Sequence, residues 1–205
     1  AYYLEANGFD SDNDNLTYCW EQLDSGQVDT SNFGPDLLTG SVNRSIPPSE
    51  NKIRFIPNIS EVLNGNLAPS KPSLFSSWET VSNVERTLTW GVTVRDRSES
   101  NPNGMGQISQ DVKKIFVTAT AGPFRITSND SNDIVWKSGT NQKIIWDVAN
   151  TDRAPINTKE ISIFLSVDGG ENFSIPLVEN IPNSGEAHII VPGNISTERA
   201  RIKIS

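Results

Sequence analysis

The chain has 205 residues, with 17 Lys plus Arg against 25 Asp plus Glu, a formal net charge of −8, and one His, one Cys and one Met. A single His cannot build a zinc site of several imidazoles, and a lone Cys excludes an internal disulfide framework. The negative balance disfavours nucleic acid and anionic membranes as partners, and no apolar run reaches the about 18 residues that a membrane span needs.

Hydrophobic residues make up 35%, while Ser, Thr and Asn together number 59. That composition fits many short strands joined by polar turns. Five Trp, eight Phe and three Tyr argue against disorder. The expected fold class is all-β, as two tandem β-sandwich domains.

In chain order, Tyr2-Tyr3-Leu4 opens on a strand and Leu16 to Gln22 forms the next. Two long polar insertions follow, at 23–43 and 56–86, and only Ser60 to Asn66 offers a helical turn. Leu88, Trp90, Val92 and Val94 alternate with polar residues or Gly, so Thr87 to Arg95 reads as a long strand. Val112 to Ala119 is a further strand, rich in β-branched residues. Ala121-Gly122-Pro123 marks a boundary, giving domains at 1–121 and 122–205. The first domain holds 9 basic and 15 acidic residues, a net of −6. The second offers about seven strands: 124–128, 134–137, 142–148, 160–167, 173–178, 186–191 and 199–204. Seven short strands in a segment of this size is the immunoglobulin-like count. Both ends of the chain stop on strand alternation, so it reads as a fragment of a longer protein.

The densest set of oxygen ligands is Asp10-Ser11-Asp12-Asn13-Asp14-Asn15. Alternate positions in a tight loop can aim carboxylates at one centre, as Ca²⁺ requires. Asn15 stands at the sixth position, where an EF-hand loop needs glycine, and no helices flank the loop, so that motif is rejected. Asp96, at the end of the long strand, is a candidate fourth carboxylate. The competing reading is a turn whose Asp and Asn side chains bind their own backbone.

Trp20, Trp90 and Trp146 lie within strand alternation and are expected in the core. Trp78, beside Phe75 in a loop, is the candidate ligand contact. Cys19 reads as a buried, inert thiol, and His188 as a surface residue on a strand. Ser166-Val167-Asp168-Gly169-Gly170-Glu171-Asn172-Phe173 matches an Asp-box, whose physical content is a hairpin turn. No complete catalytic constellation is present.

The run from Asp10 to Trp20, followed by Val92-Thr93-Val94-Arg95-Asp96, resembles polycystic-kidney-disease-like (PKD-like) and cadherin-like modules of bacterial secreted proteins. In some of these the matching Asp residues bind Ca²⁺, which carries onto Asp10, Asp12 and Asp96; Asp14 completes the candidate set. Asn13 stands where those modules usually have Gly. Further motifs extend the likeness: Arg44-Ser45-Ile46-Pro47-Pro48, Arg54-Phe55-Ile56-Pro57, Trp78-Glu79, Ala121-Gly122-Pro123-Phe124, Ile145-Trp146-Asp147 and Asn180-Ile181-Pro182-Asn183. Their order resembles the region downstream of the catalytic domain in reprolysin-like zinc metallopeptidases of Bacteroidetes. The resemblance implies a PKD/cadherin-like first domain and an Ig/fibronectin-III-like second domain. It also implies a secreted or cell-surface location and a non-catalytic accessory role beside the catalytic domain of the same parent chain. Extracellular protein or polysaccharide would be the outside partner. The His-Glu-x-x-His motif of that family is absent here, so no catalytic residue carries over. The alternative is a carbohydrate-binding or cell-surface adhesion module of another secreted protein.

Overall fold

A computed structural model describes residues 1–70, 77–96, 106–129, 131 and 133–205. The chain divides into two compact units, Ala1–Ala119 and Thr120–Ser205, against the expected break after residue 121. The regular structure described in each is almost entirely antiparallel sheet.

In the first unit, β1 (Tyr2–Glu5) pairs with β3 (Ile53–Ile56). A second sheet has the order β2 (Leu16–Gln22), β4 (Arg86–Asp96), β5 (Ile108–Val117). Leu4 of β1 and Ile56 of β3 meet Tyr18 and Trp20 of β2 and Leu88, Trp90 and Val92 of β4 in one core. These residues share one face of each strand because side chains alternate along it. The arrangement is sandwich-like, with the sheet of β1 and β3 much the smaller.

Leu16 lies opposite Asp96 and Gln22 opposite Trp90, so the whole of β2 is matched to β4. β5 begins four residues before the expected Val112, because its first half is exposed and polar and lacks an apolar signature. The one α-helical turn among the described residues, α1 (Ile59–Leu63), starts where the Asn58 side chain accepts the Glu61 N–H. It stops at Gly65, whose φ of +72° suits a helix end.

Among its described residues the second unit has six strands where seven were expected. One sheet has the order β10 (Glu186–Ile190), β7 (Asn141–Asp147), β6 (Arg125–Ile126), and the other β11 (Arg201–Ile204), β8 (Glu160–Ser166), β9 (Ile175–Pro182). Ile144 and Trp146 of β7, Ile161 and Ile163 of β8 and Ile189 of β10 form the buried core. Residues 134–137 are not a strand. Ile134 and Val135 face water, and only Trp136 leans on the core.

Candidate functional site

Asp10 organises its own loop. Its Oδ1 accepts the backbone N–H of Asp12 at 2.9 Å and of Asp14 at 3.0 Å. Ser11 Oγ donates to Asp12 Oδ1 at 3.4 Å. Asn13 takes a φ of +60°. Asn is among the residues that tolerate this left-handed region, so it does the work of the glycine expected there.

Asp96 sits at the far end of β4 and its Oδ1 accepts the Gln107 N–H at 2.6 Å. Asp10 and Asp96 line one open cavity of about 750 Å³, walled by β1, Leu16 and β5. Asp12 and Asp14 do not line it. Among the described residues no group of three or more His, Cys, Asp or Glu is gathered as a metal cluster. The fold thus brings together two of the four candidate ligands. Two carboxylates offer at most four oxygens, against the about six to eight that Ca²⁺ takes. The hydrogen bonds of the loop match the self-capping turn.

Trp78 is half-buried. It has a φ of +50° and meets Phe33 edge-on, with ring centroids 5.4 Å apart. Its carbonyl accepts the Arg44 N–H at 3.1 Å. Phe75, its expected neighbour, lies outside the described residues. Trp20, Trp90 and Trp146 are core residues as expected. Cys19 is half-buried rather than buried, and its Sγ approaches the Ile46 carbonyl at 3.6 Å. Desolvation there pushes the thiol pKa up, which suits an inert thiol. His188 is exposed on β10, with Nδ1 2.9 Å from Asn141 Oδ1.

The Asp-box is a closed turn. Ser166 Oγ donates to Asp168 Oδ1 at 2.5 Å, and the Asn172 N–H donates to the same oxygen at 3.0 Å. Asn172 Nδ2 donates to Oδ2 at 2.8 Å. The Ser166 bond first, then those from Asn172, hold the Asp168 carboxyl far below the usual carboxylate range. Gly169 and Gly170 supply φ values of +92° and +100°.

A larger polar assembly went unnoticed in the sequence. Arg54 of β3 is buried and donates to the carbonyls of Trp20 and, at 2.7 Å, Arg44. It also pairs with Glu79 at 2.6 Å, and its guanidinium lies 5.2 Å from the centre of the Trp90 ring. The other oxygen of Glu79 accepts the Asn58 N–H at 2.8 Å. A second buried arginine, Arg86 of β4, donates to the carbonyls of Leu37 and Gly40, both at 2.8 Å, with Asp24 3.5 Å away. Gln22 of β2 joins the two, its Oε1 accepting from Val42 N–H at 3.1 Å and from Asn43 Nδ2 at 2.8 Å. Asn43 in turn accepts the Thr80 N–H at 3.1 Å.

These groups attach both insertions to the sandwich. The available signal was parity: Gln22, Arg54 and Arg86 occupy core-facing positions of their strands, in step with Trp20, Ile56 and Leu88. Polar residues in core register must find buried partners.

Compared with known protein families, with curated proteins and with solved structures, the chain finds no match. No helix among the described residues is long and apolar enough to cross a membrane.

Proposed function

We propose that this chain is a non-catalytic accessory region of a secreted bacterial zinc metallopeptidase, acting as a spacer and as a surface that engages substrate or neighbouring extracellular molecules. The first unit is read as a PKD/cadherin-like module and the second as an Ig/fibronectin-III-like module. The observation that carries the reading is the motif order, from the acidic loop before Tyr18-Cys19-Trp20 to Asn180-Ile181-Pro182-Asn183, now set on two all-β units. The polar groups that are most buried serve to attach loops, which is what a structural module needs.

The test is the reading frame that encodes this chain. The expected result is a His-Glu-x-x-His motif with a third His upstream of Ala1; an upstream region without it sinks the proposal. Calcium enters only through the Asp10 and Asp96 side of the shared cavity. There, titration of Ca²⁺ into chelator-treated protein should release or absorb heat and raise the melting temperature, since a ligand bound only by the native state stabilises it. Unchanged melting at millimolar Ca²⁺ removes calcium from the reading.

A second reading, a carbohydrate-binding module, draws on Trp78, a half-exposed loop tryptophan. It expects retention on a polysaccharide that Trp78→Ala abolishes while the melting temperature holds. No retention on any polysaccharide counts against it.

A further inference from the structure

The longest edge strand among the described residues is β5, ten residues that pair with β4 on one side and with no strand on the other. The phase of its backbone follows from one bond. Asp96 N–H donates to the Gln107 carbonyl at 3.2 Å, so Gln107 and every second residue after it turn their backbone toward β4. Ile108, Gln110, Val112, Lys114 and Phe116 therefore present theirs at the open edge. The Val112 N–H is met there by the side chain of Asp111, Oδ1 at 2.7 Å.

The same residues form the outer face of the strand. Ile108 is 64% exposed, Val112 55% and Phe116 53%. Three apolar residues in one register on an open edge invite another strand. Charged side chains are the usual protection, and Asp111, Lys113 and Lys114 stand in the middle of this one. None of the three has an ion-pair partner among the described residues. Their order decides which strand they admit.

We propose that β5 is a self-association edge: two copies of this chain pair antiparallel along it, with the two-fold axis at Val112. An antiparallel pair sets edge-facing residues opposite edge-facing residues, so the axis must pass through a residue. With the axis at Val112, that residue faces its own copy. Ile108 faces Phe116 twice, and Asp111 faces Lys113 twice. Gln110 faces Lys114, and Ser109 faces Ile115. Apolar and oppositely charged cross-strand pairs are the stabilising ones.

The adjacent registers fail on charge. An axis at Asp111 sets two aspartates opposite each other. An axis at Lys113 or Lys114 opposes two lysines. Like charges directly opposite destabilise a pair. The charges thus exclude the alignments on either side of Val112, and of the registers left the one centred there alone pairs Asp111 with Lys113. The product is a continuous sheet in the order β2, β4, β5, then β5, β4, β2 of the second copy.

Sedimentation equilibrium on the 205-residue chain tests this. The expected result is a reversible dimer with a dissociation constant of about micromolar size. Asp111→Lys and Lys113→Asp, each at an exposed site, should each weaken it at least about tenfold. The double variant Asp111→Lys/Lys113→Asp should restore it to within about threefold, because each pair is merely reversed. On the unaltered chain, amide exchange at Gln110, Val112 and Lys114 should slow as concentration rises. A chain that stays monomeric at every soluble concentration overturns the proposal. So does a dimer indifferent to the single reversals, a double variant that stays weak, or edge amides whose exchange ignores concentration.

Discussion

The Arg54 guanidinium and the Glu79 carboxylate meet at 2.6 Å, with side-chain exposures of only 4% and 3%. The pair joins β3 to the end of the second insertion, and the same guanidinium holds the carbonyls of Trp20 and Arg44.

Removing one partner leaves the other charged and dry. Glu79→Ala should therefore cost about 3–5 kcal/mol, whereas replacing both partners by apolar residues of similar volume costs much less. Urea unfolding of Glu79→Ala and of Arg54→Met/Glu79→Leu makes the comparison. Equal losses in the two would show that the cost is packing rather than an orphaned charge.

Trp146 Nε1 donates to Asn183 Oδ1 at 2.8 Å, and Asn183 Nδ2 donates to Thr151 Oγ1 and to the Thr158 carbonyl, each at 3.1 Å. Asn183→Ala leaves a buried indole N–H without its acceptor, a loss of about 1–3 kcal/mol. Denaturant unfolding measures the loss, and the indole proton resonance of Trp146 should move in the folded variant. A resonance that stays put would break the assignment.

Hydrogen bonds from Ser166 and Asn172 hold the Asp168 pKa below its ordinary value. A carboxyl depressed in the folded state adds stability above its unfolded pKa of about 3.9, and that stability is lost as pH falls toward the folded value. Asp168→Asn should therefore show a smaller loss of stability than the parent below about pH 4. Carbon NMR of the Asp168 carboxyl should show it still ionised where ordinary aspartates have titrated, and Ser166→Ala should raise its midpoint.

Gly26 has a φ of +141°, and a Cβ placed on it would lie 2.7 Å from the Gly40 backbone nitrogen and 2.8 Å from its Cα. Backbone on both sides cannot yield, so Gly26→Ala should cost about 1–3 kcal/mol through overpacking and strain. Gly65→Ala is the control. Gly65 also has positive φ, at +72°, but open space around it, so only the strain of about 1 kcal/mol applies there. Melting temperatures should rank the two variants in that order.

The sheets were legible wherever one face is apolar. Leu88, Trp90 and Val92 announced β4, and Ile161, Ile163 and Leu165 announced β8. The first half of β5 gave no signal, because the small sheet of β1 and β3 leaves both of its faces exposed. The stretch 134–137 misled, since Ile134 and Val135 are apolar yet face water. The acidic loop was legible as a turn but not as a gathered site: Asp10 spends an oxygen on two backbone amides. The arginine assembly was hidden because its partners lie up to 49 positions away, on stretches without periodicity.

The carbonyls that receive Arg54 and Arg86 belong to Trp20, Leu37, Gly40 and Arg44. Carbonyls look alike on every residue, so these contacts leave the exposed side chains along 23–43 free to change, while Asp24, Gly26, Phe33 and Asn43 are held by contacts of their own. What these contacts fix is spacing. Deleting a single residue between Leu37 and Arg44 would pull an oxygen away from a buried guanidinium that has nowhere else to turn. The insertion should therefore drift readily in sequence while keeping its length, the reverse of an ordinary surface loop.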